Sequence, residues 1–142
     1  MHFITGGAFN GKSKWAKEHY QLTNRKDTYW YNGYEHVSFS SIVLPDHGVV
    51  IVNGVEYVIR SCIQSTTRQQ LQEELKRWKA WETVEKSRKF IIIGSDVGKG
   101  VVPIEAENRK WRDYVGWFYQ DLVNVCDRVD VIWYGISQTI KS

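Results

Sequence analysis

The run Gly6-Gly7-Ala8-Phe9-Asn10-Gly11-Lys12-Ser13 fits the spacing G-x-x-x-x-G-K-[ST] of a phosphate-binding P-loop and constrains this chain more than any other stretch. Glycines at these places let successive backbone N–H groups turn inward around an anion with no Cβ in the way. A helix starting near Gly11 aims the positive end of its dipole at the same anion. Lys12 would bring a positive charge to β/γ phosphates from a solvent-facing loop, and the Ser13 hydroxyl can ligate Mg²⁺. The setting agrees: an apolar run over residues 2–5 precedes the loop, and a helical pattern from 12 to about 22 follows it. A glycine-rich turn with an incidental lysine is the alternative, and it does not account for Lys12 and Ser13 standing directly after Gly11.

Length and composition narrow the rest. At 142 residues, 42% hydrophobic and 25% charged, the chain reads as one globular domain spanning 1–142. Its net charge of +3, with acids mixed among the bases, argues against a nucleic-acid partner. The longest aliphatic runs, 49–52 and 90–93, are far too short for a membrane span. The opening MHFITGG carries no basic leader, so a cytoplasmic protein is expected. Cys62 and Cys126 make neither a disulfide framework nor a zinc set and are expected as small buried hydrophobes. Seven tryptophans are many for one chain of this size to bury, so a homo-oligomer is expected.

Strand patterns are expected over 2–5, 28–31, 49–52, 90–93, 129–134 and 136–141. Residues 32–48 read as irregular, with a turn at Asp46-His47-Gly48. After Asn53-Gly54 the sequence allows a hairpin or a helix. Val55, Val58, Ile59, Cys62 and Ile63 fall on a helical stripe, and the helix is preferred. Thr66 with Gln69 reads as a capping box, ahead of a helix with Leu71, Leu75, Trp78 and Trp81 on one face. A last helix from about 105 to 126 carries Trp111, Val115, Phe118, Leu122 and Val125. Strands alternating with helices predict an α/β fold with a mainly parallel sheet flanked by helices.

A second signal lies in the C-terminal half. Ser95-Asp96-Val97-Gly98-Lys99-Gly100-Val101-Val102-Pro103 is followed by Arg109-Lys110-Trp111-Arg112-Asp113-Tyr114-Val115-Gly116, then Gln120, Asp127-Arg128-Val129, Gly135-Ile136 and Ile140-Lys141. With the P-loop, this resembles the adenosylcobinamide kinase / adenosylcobinamide-phosphate guanylyltransferase family of cobalamin biosynthesis. The resemblance implies a RecA-like sheet and a homo-oligomer, a trimer. It also implies a nucleoside triphosphate, ATP or GTP, bound with Mg²⁺, and a corrinoid acceptor, adenosylcobinamide. Two reactions follow from it: phosphorylation of the acceptor's hydroxyl, and transfer of GMP through a guanylylated histidine.

The chain departs from that family in places. The family's histidine lies on a helical segment after the second strand, and residues 32–48 are too few to hold one. His36 and His47 are the only histidines there. Without a nucleophile the covalent route is lost, so phosphoryl transfer is expected over GMP transfer. The acid that normally ends the third strand is Asn53. The loop acid is Asp96 rather than Glu, Tyr119 stands where the family has asparagine, and Phe9 replaces an arginine.

Asp96, at a strand tip, is expected to act in catalysis with Lys12 and to hold Mg²⁺ with Ser13. Glu56 either replaces the missing strand-end acid or is an exposed glutamate favouring a helix dipole. Gly98 and Gly100 beside Lys99 would form a tight loop. Gly116, mid-helix, calls for close packing against another element. His2 and His19 show no partner pattern. The alternative to an enzyme is a catalytically degenerate nucleotide-binding protein.

Overall fold

Short runs of β-branched and aromatic residues separate the helices, and each becomes a strand. In the computed structural model, which describes residues 1–97 and 105–142, five of them run parallel. They are β1 (His2–Gly6), β2 (Thr28–Asn32), β3 (Val49–Asn53), β4 (Lys89–Ser95) and β5 (Arg128–Trp133). β6 (Ile136–Lys141) returns antiparallel to β5 through a turn at Tyr134-Gly135. The order β2-β3-β4-β1-β5-β6 places β4 between β1 and β3, the RecA-like arrangement of the P-loop fold.

Side chains alternate across the sheet, so consecutive residues of one apolar run serve opposite cores. Phe3, Val50, Val52, Phe90, Ile92 and Val129 face α2 (Val55–Arg60), α3 (Arg68–Val84) and α4 (Ala106–Val125). Ile4, Val49, Ile51, Ile91, Ile93 and Ile132 face the other way, toward α1 (Lys12–His19) and Leu22. Trp78 of α3 stacks on Phe90 with ring centroids 4.5 Å apart. The long helices contribute the stripes expected of them: Leu71, Leu75, Trp78 and Trp81 from α3, and Val115, Phe118 and Leu122 from α4.

Several boundaries move. Gln21 takes a left-handed backbone (φ 52), so α1 stops at His19 and the chain continues as a short 3-10 turn, Leu22–Asn24. The capping box is one residue later than expected: Thr67 accepts the N–H of Gln70, and the Gln70 side chain accepts the N–H of Thr67. Both Thr and Gln are doubled in the sequence, so spacing alone does not separate the two registers. After Asn53 the helix prevails over the hairpin because Val55, Val58, Ile59 and Ile63 find one continuous core. Cys126 is buried and Cys62 half-buried, both free thiols. Residues 32–48 hold two 3-10 turns, Gly33–Glu35 and Phe39–Ser41. The loop glycines Gly98 and Gly100, with Lys99 and Pro103, lie outside the described residues. No helix among the described residues is long and apolar enough to cross a membrane.

Gly116 corrects the expectation of close packing, since a Cβ built there meets nothing within 4 Å. Its helical entropy cost is therefore not offset by contacts among the described residues. Gly116→Ala should raise stability by about 1 kcal/mol, a few degrees in thermal unfolding. A lowered melting temperature would contradict the open surroundings of this position.

His2 and His19 are also not ordinary. His2 Nε2 lies 2.5 Å from Asp130 Oδ2, and its Nδ1 lies 2.5 Å from the Tyr20 hydroxyl. Asp130, fully buried, also accepts from Arg128 Nε at 2.7 Å and from the Thr139 hydroxyl at 2.6 Å. His19 stacks on Trp15 with centroids 4.6 Å apart. This network ties β1, β5, β6 and the residue after α1 together.

Candidate functional site

The candidate phosphate loop begins where β1 ends. Gly6 has φ +147, and a Cβ there would sit 2.4 Å from the Ile132 carbonyl oxygen, so the turn out of the sheet requires glycine. Gly11, at φ +86, leads into α1 with no side chain capping its first turn. The Asn10 carbonyl accepts from the Gly135 N–H at 2.8 Å, which pins the loop to the β5–β6 turn. The Asp96 N–H donates to the Gly6 carbonyl at 3.1 Å, which holds the end of β4 against the base of the loop.

A cavity of about 640 Å³ opens at the C-terminal tips of β1, β3 and β4. Ala8, Phe9, Gly11, Lys12 and Ser13 line one side of it, and Tyr34, Asn53, Glu56 and Asp96 line the other. Ligands of open α/β sheets bind at such strand tips. Gly6, Gly7 and Asn10 shape the loop rather than line this space. Phe9 is fully exposed, with φ +63.

Lys12 corrects the picture of a solvent-facing lysine. It is buried, and its Nζ donates to the Gly7 carbonyl at 2.8 Å. Burial pushes its pKa down, and the Glu56 carboxylate offsets part of that. The Ser13 hydroxyl donates to Asn53 Oδ1 at 3.1 Å. Asn53 thus meets the loop serine, although it brings no charge to it.

Glu56 is not the exposed helix-start residue of the bland alternative. It is 1% exposed in the first turn of α2. Its Oε2 accepts from the Tyr34 hydroxyl at 3.2 Å, and its Oε1 is buried with no hydrogen-bond partner among the described residues. Burial pushes the Glu56 pKa up. Nearby main-chain N–H groups, the Tyr34 hydroxyl and the Lys12 ammonium compensate only in part. Tyr34 is itself pushed up to about 12, by burial first and by the Glu56 charge second. Asp96 is exposed at the mouth of the cavity.

Tyr34 carries no sequence signal, because it sits in a stretch without periodicity. Tyr119 supports the site from below: its hydroxyl donates to the Ser95 carbonyl at 2.7 Å, and its ring packs on Phe3 at 4.8 Å. A second cavity, of about 670 Å³, lies between α4 and the β5–β6 hairpin and reaches Gly6 and Asp96. It is lined largely by apolar side chains, among them Val123, Val129, Trp133 and Ile140.

Residues 23–140 match the family of cobinamide kinase / cobinamide phosphate guanyltransferase, CobU. The chain belongs to this family. The match covers β2 to β6 and starts after the candidate phosphate loop, so the loop geometry and the family match are independent observations. The bifunctional adenosylcobalamin biosynthesis protein CobP of Pseudomonas aeruginosa is 30% identical over 53 residues. That alignment spans 37% of this chain and 31% of the length of CobP. Asn53 and Glu56 stand where the end of β3 meets the cavity. Among the described residues, no three His, Cys, Asp or Glu are grouped to hold a metal ion.

Proposed function

We propose that residues 1–142 act as one nucleotide-binding domain that transfers a phosphoryl group from ATP or GTP to the hydroxyl of a cobinamide-type acceptor. One observation carries this reading. The Lys12 ammonium, the Ser13 hydroxyl and the carboxylates of Glu56 and Asp96 line the same cavity at the strand tips. Backbone N–H groups of 6–13 would hold the phosphates, and Lys12 would exchange its bond to Gly7 for the charge that develops during transfer. Ser13 and Asp96 present hard oxygens that fit Mg²⁺, which would neutralise phosphate charge when bound. Phe9, fully exposed, and the half-exposed Tyr34 and Tyr57 rim the cavity and could face a large flat acceptor such as a corrinoid.

Phosphoryl transfer is favoured over GMP transfer because no α-helix stands between β2 and β3 to present a histidine nucleophile. His36 lies there on an exposed left-handed turn (φ 62). A homo-oligomer belongs to the same proposal, supported by the exposed Trp133, Tyr134, Ile136 and Ile140 of the β5–β6 hairpin. The neutral Asn53 favours a second reading, a nucleotide-binding protein without turnover.

The full chain should be incubated with Mg²⁺, cobinamide and either γ-labelled ATP or γ-labelled GTP, and in parallel with α-labelled GTP. Label passing from the γ-position to cobinamide is the expected result, with no alkali-stable α-label on the protein. Binding without transfer would establish the second reading. Alkali-stable α-label that disappears in a His36→Ala variant would overturn the preference for phosphoryl transfer.

A further inference from the structure

We infer that Glu56 supplies the anionic oxygen for the divalent cation that accompanies the nucleotide, in the place where β3 ends in the neutral Asn53. The inference rests on the phosphate-site reading above and assigns a role within it. It starts from a carboxylate that the fold treats badly. Glu56 is 1% exposed, and its Oε1, although the main-chain N–H groups of Glu56 and Ser95 lie near the carboxylate, is shielded from solvent and makes no hydrogen bond among the described residues. A buried carboxylate oxygen left without a partner destabilises the fold that contains it. Lys12, which also lines this cavity, acts on Glu56 through space, and the hydrogen bond its Nζ makes among the described residues goes to the Gly7 carbonyl at 2.8 Å. A purely space-filling role would be met as well by glutamine, at lower energetic cost. The charge is accounted for if a cation arrives with the ligand.

The surroundings specify the cation's class. The cavity offers the Ser13 hydroxyl, the Asn53 side-chain carbonyl and the Glu56 and Asp96 carboxylates, and among the described residues no imidazole or thiolate lines it. Hard oxygen donors of this kind suit Mg²⁺ or Mn²⁺ rather than a softer metal. Phosphate oxygens and water would complete the shell.

The backbone shows how a residue three places past the strand end comes back to its tip. Gly54 takes a left-handed conformation (φ +70) directly after Asn53, and α2 starts at once. Glu56 therefore falls in the first turn, over the end of β3. Tyr34 locks it there. Its ring lies so close to Gly54 that a Cβ at Gly54 would be 2.7 Å from the ring edge, and its hydroxyl donates to Oε2. That bond occupies Oε2, and Oε1, shielded from solvent in the resting structure, would reach the cation by a turn of the carboxylate about the Tyr34 bond, so Tyr34 is a positioning residue.

The test is nucleotide binding by the full chain, measured by calorimetry with excess Mg²⁺ and again in EDTA. In the wild type Mg²⁺ should tighten binding about tenfold or more. In Glu56→Gln that gain should vanish. The weak EDTA binding should stay equal or become tighter, because one negative charge fewer faces the phosphates. The variant should also melt at or above the wild-type temperature without ligand. Asn53→Asp added to Glu56→Gln should restore the gain, since Asn53 already meets Ser13.

Full Mg²⁺ dependence in Glu56→Gln would overturn the inference while leaving the phosphate site standing. A lowered melting temperature would overturn it too, by marking Glu56 as structural. Failure of Asn53→Asp to restore the gain would overturn the equivalence of the two positions. A wild-type chain that binds nucleotide in neither buffer would overturn the phosphate-site reading itself.

Discussion

Lys12→Met should leave a folded chain whose affinity for ATP and GTP has fallen by about 100-fold or more. Methionine keeps the length of the buried stem and removes only the charge and its donors. Among the described residues that ammonium makes one hydrogen bond, to Gly7 within its own loop, so the fold loses little when it goes. Burial already pushes the Lys12 pKa down, and the protein keeps a partly desolvated cation where a phosphate would arrive. A charge in such a place acts at reduced dielectric and is worth far more than a surface lysine. Calorimetry on a variant with an unchanged circular dichroism spectrum checks this. Unaltered affinity for both nucleotides would remove residues 6–13 from the binding site.

The largest stability effect should come from the opposite end of the strands. Asp130→Ala should destabilise the protein by about 3 kcal/mol, because it strips His2, Arg128 and Thr139 of a shared, fully buried acceptor. Arg128 is half-exposed and can turn to water, which keeps the effect below the upper end for buried pairs. Chemical denaturation of the two proteins measures it, and a difference under about 1 kcal/mol would mean that the network carries little.

The same network sets a pH dependence. Burial outweighs the bond to Asp130 and pushes the His2 pKa down to about 4 from its ordinary 6.5. In that interval the unfolded chain binds a proton that the folded chain does not, so stability falls as pH drops. The loss from this group by pH 4 should be roughly 3 kcal/mol. His2→Asn should flatten the curve between those values, and an equally steep curve in the variant would assign the acid sensitivity elsewhere.

Local chemistry made much of this protein legible before its structure. Gly6 and Gly11 mark the loop because their positive φ suits a residue without Cβ, and Lys12-Ser13 marks it by bringing a cation and a hydroxyl to its end. The β-branched runs of β3 and β4 mark central strands, because strands covered on both faces are apolar at every position. The stripe from Val55 to Ile63 predicts a helix, and the core it meets makes it one. Where two registers satisfied the same spacing, as at Thr66 and Thr67, periodicity had nothing further to decide between them.

The fate of isolated polar residues was different. Glu56 carries the same local signal whether it lies in solvent or in a cavity. Only the left-handed turn at Gly54 and the ring of Tyr34, from a stretch with no pattern, bury it beside Lys12. His2 and Asp130 are 128 residues apart, and nothing along the chain links them. Sequence by itself determined the phosphate-loop motif, the class of the sheet and the family resemblance, since each rests on contiguous residues obeying short-range steric and hydrophobic rules. Which charges meet, and which lose their water, was decided by the tertiary structure alone, because burial and Coulomb interactions depend on distance through space and not on spacing along the chain.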